Sequence, residues 1–148
     1  MDDLSKKFVI IIGEFYNNIT DNLLRGAESV FRDEYNSKDS LIIYRVPGAN
    51  EIPGTVKVVI DNIQPDVIIT LGCIIRGETK HFDIIANNVS SRVMDISISE
   101  SIPIIFGVLA VENMEQAERR ANPMGKNIGG DCMRTAIKML ETYNEIKK

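Results

Sequence analysis

Groups that hold transition metals are scarce in this chain of 148 residues, which has one histidine and two cysteines, Cys73 and Cys132, far apart in sequence. They offer no ligand spacing, so no metal is expected. Two cysteines are too few for a disulfide framework. Cys73 lies in an apolar run and reads as a buried thiol, and the cytoplasm is the expected compartment. No apolar run approaches the about 20 residues that span a bilayer. The start, "MDDLSKKFVIIIGEF", is too soon interrupted to read as a secretory signal. A net charge of −4, from 17 basic and 21 acidic residues, argues against nucleic acid and anionic membranes as partners. Cofactor and nucleophile signatures are missing too. "GEFYNN" lacks the G-x-G-x-x-G spacing, and neither G-x-x-x-x-G-K-[ST] nor G-x-S-x-G occurs. There is no internal repeat, linker or low-complexity stretch, so residues 1–148 read as a single domain.

What is present is a regular alternation of strands and helices. "KFVIII", "SLIIYRV", "DVIITLGCII" and "IPIIFGVL" are short, continuous and β-branched, the pattern of parallel strands buried on both faces. Between them lie segments of helical period. The first runs from about Thr20, as N-cap, to Tyr35, with Leu23, Ala27, Val30 and Phe31 on one face. The second reaches about Asn62, with Pro53 in its first turn. The third runs from His81 to Ser99 with a stripe of Ile85, Val89, Val93 and Ile96. Two more helices, Met114–Ala121 and Gly130–Lys147, flank "NPMGKN". Right-handed crossovers between such strands give an α/β domain, a three-layer α/β/α sandwich around a four-stranded parallel sheet. Ligands in such folds bind beyond the carboxyl ends of the strands. "GEFYNN", "PGANE", "RGETKHFD" and "GVLAVEN" are the segments that fall there.

"RGETKHFD" has the most chemistry. Gly77, Glu78 and Thr79 precede a helix, where free backbone N–H groups and a hydroxyl suit an anion, or simply cap the helix. His81 stands at the same helix start. It is either a proton-transfer group, since a neutral imidazole gives and takes protons near neutral pH, or a capping surface residue. Phe15 either stacks on a flat ring or plugs the sheet end. Glu51 either complements a helix dipole or accepts hydrogen bonds from a ligand. Arg120, in "ERRAN", either grips a phosphate or stays solvated. Phe106 reads most simply as core. Residue by residue, these observations stop at an α/β domain with an anion-binding loop that carries histidine.

The order of motifs goes further. "VPGANEIP", "LGCIIRGETKHFD", "IPIIFGVL" and "EQAERRA" together resemble the lumazine synthase family of riboflavin biosynthesis, from "IIGEFYNNIT" to the last helix. The resemblance implies a flavodoxin-like fold and a transferase. It would condense 5-amino-6-(D-ribitylamino)uracil with 3,4-dihydroxy-2-butanone 4-phosphate into 6,7-dimethyl-8-ribityllumazine, phosphate and water, with no metal or organic cofactor. It gives His81 the proton transfer. Glu78, Thr79 and Arg120 would hold the butanone phosphate. Phe15 would stack on the pyrimidine, and Ala49, Asn50 and Glu51 would line the ribityl and ring site. Cys73, Ile74 and Ile75 would form a main-chain wall, and Phe106 a closing side. Phe106 and Arg120 would come from a neighbouring subunit, as part of a homo-oligomer: a pentamer, with a sixty-subunit capsid as the larger assembly and riboflavin synthase as a partner packed inside it. A non-catalytic flavodoxin-like binding module or cage protein is the alternative. Three positions depart from the family habit: Asn50 where an aromatic residue is common, Tyr16 where Asn is frequent, and Ile128 where lysine is usual, with Lys126 nearby.

Overall fold

The computed structural model describes residues 6–35 and 41–148. Its sheet has four parallel strands, β1 (Phe8–Gly13), β2 (Leu41–Val46), β3 (Val67–Ile75) and β4 (Ile104–Val111), in the order β2-β1-β3-β4. Ser40, expected to open the second strand, lies outside the described residues. Successive side chains of a strand point to opposite faces, so both faces of an apolar strand need cover. Phe8, Ile10 and Ile12 of β1 join one core with α1 (Asn17–Glu34), α4 (Met114–Ala121) and α5 (Ile128–Lys147). Val9 and Ile11 join the other, under α2 (Ile52–Ile63) and α3 (His81–Glu100). The three-layer α/β sandwich expected from the alternation is the one observed.

Three expectations need correction. Thr20 does not cap α1: the helix begins at Asn17, one turn earlier, and the Thr20 N–H donates to the Tyr16 carbonyl at 3.0 Å. Thr20 is instead fully buried on the inner side of the helix, its hydroxyl without a partner among the described residues. Second, α5 starts at Ile128, where the Asn127 side chain accepts from the Gly130 N–H at 3.2 Å. Third, β4 runs to Val111, so "GVLAV" is strand and only Glu112 and Asn113 remain before α4.

α1 and α5 pack almost backbone to backbone. A Cβ on Gly129 would overlap the Leu23 carbonyl, lying 2.7 Å from its carbon, and one on Gly26 would meet Asn127 and Gly130. Glycine is required there by space, not by dihedral freedom.

Candidate functional site

The strand order reverses between β1 and β3: the chain leaves β1 for β2 on one side and reaches β3 and β4 on the other. A crevice opens at that point, beyond the carboxyl ends of the strands, where open α/β sheets bind ligands. It holds a cavity of about 420 Å³, within the usual size of small-molecule sites.

Three stretches build its wall. The turn after β1 carries Phe15 and Tyr16, whose rings meet edge to face at 4.9 Å. The turn is pinned by the Glu14 N–H, which donates to the Val46 carbonyl at 2.9 Å, and by the Arg45 guanidinium on the Glu14 carboxylate at 2.7 Å. After β2, Pro47 and Gly48 lead into one 3-10 turn, Ala49–Glu51, and then α2 with Pro53 in its first turn. This segment lies against the end of β1: a Cβ on Gly13 would come 2.9 Å from the Gly48 carbonyl carbon. The Glu51 carboxylate is free of any helix cap, while its carbonyl accepts from the Thr55 hydroxyl at 2.7 Å. The third stretch is the end of β3 with Cys73, Ile74 and Ile75, then Gly77, Thr79 and the start of α3 with His81, Phe82 and Ile85. Burial pushes the Cys73 thiol up to about 12, so at neutral pH it is a protonated, apolar part of the wall and no nucleophile.

His81 is exposed and is the first residue of α3. Its N–H donates to the Thr79 hydroxyl at 3.1 Å, so Thr79 serves the helix start as well as facing the cavity. Among the described residues, the N–H groups of Gly77, Glu78 and Thr79 find no acceptor and are open to an anion. Glu78 itself is exposed but does not line the cavity.

Phe15, Ala49, Asn50, Glu51, Cys73, Ile74, Ile75, Thr79 and His81 thus share one cavity, and Phe106 and Arg120 are outside it. Phe106 is not core. It pairs with Thr70 on the edge strand β4, on the α3 side of the sheet, and is 41% exposed. An edge strand has no neighbour to cover an outer ring. Arg120 lies on α4, in the opposite layer from α3. One of its Nη atoms is buried with no partner among the described residues. Gly77, singled out with the anion loop, lines the cavity too, and sequence reasoning left out Tyr16, Pro47, Gly48, Phe82 and Ile85, which also line it. Period alone marks Phe82 and Ile85 as core residues of α3, and only the approach of the 47–51 segment turns them towards a ligand. Ile128, the third unusual position, packs against the α1–α5 core while Lys126 is exposed.

Among the described residues no group of three or more His, Cys, Asp or Glu side chains is placed to hold a metal ion, and no helix is long and apolar enough to cross a membrane. The fold and the cleft define a doubly wound α/β protein with a small-molecule site at its switch point. Residues 5–144 match the family model described as 6,7-dimethyl-8-ribityllumazine synthase. Proteins of that name are similar along nearly the whole chain. The one from Chlorobium luteolum is 39% identical over 140 residues, covering 95% of this chain and 90% of its own. The one from Pediococcus pentosaceus is 37% identical, covering 96% and 91%. That of Prosthecochloris aestuarii is 34% identical, covering 99% and 94%. The chain belongs to the 6,7-dimethyl-8-ribityllumazine synthase family.

Proposed function

We propose that this chain is a transferase of riboflavin biosynthesis that condenses 5-amino-6-(D-ribitylamino)uracil with 3,4-dihydroxy-2-butanone 4-phosphate, giving 6,7-dimethyl-8-ribityllumazine. Family membership over nearly its full length carries this reading. The amine at position 5 attacks the ketone and loses water to form an imine. Removal of a proton from the butanone carbon next to the imine then expels phosphate. The enol so formed tautomerises to a methyl ketone, on which the ribitylamino nitrogen closes the second ring, and a second water leaves. No step needs an enzyme nucleophile, which accords with a cavity whose one thiol is held protonated. What the steps need is proton transfer and the alignment of two reactants, where proximity contributes most.

His81 at the cavity mouth is the proton-transfer group in this reading. Phe15, the largest exposed ring at the cleft, stacks on the pyrimidine. Glu51, its carboxylate unclaimed by a cap, accepts from substrate hydroxyl and N–H groups. Ala49 and Asn50 border the ribityl chain, and Cys73, Ile74 and Ile75 supply the wall. The open N–H groups at Glu78 and Thr79 bind the butanone phosphate together with Arg120.

Phe106 and Arg120 come from a neighbouring copy, so the whole chain, one domain from residue 1 to 148, acts as a homo-oligomer. Two observations support this. Neither residue reaches the cavity of its own chain. And α3 presents an outward apolar stripe, Ile84, Met94 and Ile98, exposed by 58%, 60% and 70%, that a neighbour would cover. A head-to-tail contact of this kind closes into a ring. We take the ring to be a pentamer, with the sixty-subunit capsid as the larger assembly and riboflavin synthase as the enzyme it would enclose. Two free, buried cysteines suit a reducing cytoplasm.

Genetic rescue tests the function. A bacterial strain deleted for its own lumazine synthase should grow without riboflavin when it expresses this chain, and should still need riboflavin when it does not. Folded, expressed protein that leaves the strain dependent on riboflavin would favour a non-catalytic binding or cage protein.

A further inference from the structure

We infer that Arg76 is a positioning residue: its guanidinium clamps the loop that carries Thr79 and His81 to the head of α4. Its neighbours Ile75 and Gly77 line the cavity, and Arg76 does not. Its N–H donates to the Val111 carbonyl at 2.9 Å, the last rung between β3 and β4. Three groups then hold the side chain. Nε donates to the Glu112 carboxylate at 3.0 Å. Both Nη atoms lie 3.4 Å from the two oxygens of Asp83. The guanidinium carbon stacks 4.4 Å from the centre of the Phe82 ring.

Each of the three matters for the site. Phe82 and Asp83 follow His81 directly in the first turn of α3, and Phe82 is buried and lines the cavity. Glu112 is itself held, its N–H donating to the Gln116 side chain at 2.9 Å, while the Gln116 N–H donates to the Asn113 cap at 2.8 Å. One planar side chain therefore links the start of the helix bearing His81 to the start of the helix bearing Arg120. The loop needs such an anchor. Residues 76–80 are all exposed, and a Cβ on Gly77 would touch nothing within 4 Å. Its bonds to α3 are those of the Thr79 hydroxyl with the His81 N–H and of the Lys80 carbonyl with the Ile84 N–H.

Half-exposed ion pairs add little to global stability. Losing Arg76 should therefore leave the fold intact and loosen the loop. Misplacement of reacting groups by about 1 Å can cost on the order of 100-fold in rate. Lysine is a poor substitute, because it can neither fork between two carboxylates nor stack flat on the ring.

This inference rests on the cavity being the condensation site, and the test separates the two. Amide hydrogen exchange, thermal midpoint and steady-state kinetics are measured for wild type, Arg76→Gln, Arg76→Lys and Glu112→Gln in the assembled protein. In Arg76→Gln the amides of His81 and residues 84–86, the first bonded ones at the start of α3, should exchange about tenfold faster or more, while α1 and α5 keep wild-type protection and the midpoint stays within a few degrees. Its kcat should fall about 10- to 100-fold. Arg76→Lys and Glu112→Gln should fall between wild type and Arg76→Gln in both readouts. Wild-type exchange at His81 and 84–86 in Arg76→Gln would overturn the clamp, even with a raised KM for the butanone phosphate, since that pair of results would mean direct phosphate contact. A wild-type protein that makes no lumazine would sink the functional reading, and the exchange data would still decide the role of Arg76.

Discussion

A solitary histidine at a strand–helix junction was legible as a candidate from its position alone, because loops beyond the carboxyl ends of parallel strands carry the ligands. Its neighbours in space were harder to see. Phe82 and Ile85 obey the helical period of core residues, and Tyr16 reads as a turn residue; only the packing of 47–51 against Gly13 brings them to a common cavity. Phe106 was misjudged as core, since period cannot say that β4 is an edge strand. Two substitutions test the residue roles. His81→Ala should lower the rate by about tenfold to a few hundredfold, at or below the usual contribution of one proton-transfer group, because positioning survives. An unchanged rate across neutral pH would remove His81 from the chemistry. Arg120→Ala should raise the KM for the butanone phosphate far more than that for the pyrimidine. The loss of a charge-assisted hydrogen bond, about 1.5–3 kcal/mol, corresponds to roughly 10- to 150-fold. Arg120→Lys should recover part of it. Equal damage to both substrates would make Arg120 structural.

At the scale of elements, type and order were readable and boundaries less so. All four strands announce themselves as β-branched runs, and α3 by length and spacing. Thr20 looked like a cap because threonine before an apolar stripe usually is one. The helix starts earlier because the turn after β1 is tight, and Tyr16 already supplies carbonyl bonds to Ile19 and Thr20. The start of α5 was hidden for a related reason. "IGG" looks like a breaker, yet its glycines sit inside the helix, where α1 leaves no room for a side chain at Gly129 and the capping Asn127 side chain leaves none at Gly130. Gly129→Ala forces a methyl into the Leu23 carbonyl, an overpacking expected to cost about 1–3 kcal/mol. Chemical denaturation should show a lower midpoint with an unchanged slope. Wild-type stability would mean that α1 and α5 separate easily.

At the scale of the molecule, the two halves of the proposed site belong to different layers of the sandwich: His81 on α3 and Arg120 on α4. No sequence pattern within one chain states that the halves meet across an interface; the resemblance implied it, and Phe106 and Arg120 lie outside the cavity of their own chain. The impaired His81→Ala and Arg120→Ala proteins, mixed, dissociated and reassembled and assayed at low butanone phosphate, should together exceed the sum of their separate rates, because some interfaces then pair an intact His81 with an intact Arg120. No such excess in reassembled oligomers would place both residues in one subunit's site. An active monomer by light scattering would contradict the shared site altogether. A discrete pentamer would leave the shared site standing and remove the capsid.

The condensation itself is tested most directly by following both products at once. The purified protein is given the ribitylaminouracil and the butanone phosphate, together and singly, while lumazine fluorescence and free phosphate are recorded against a protein-free control. With both substrates present, lumazine and phosphate should appear in equal amounts, well above the uncatalysed rate, and neither substrate alone should yield lumazine. Tight binding of both substrates with product formation no faster than in the control would contradict the assignment of this cavity to lumazine synthesis.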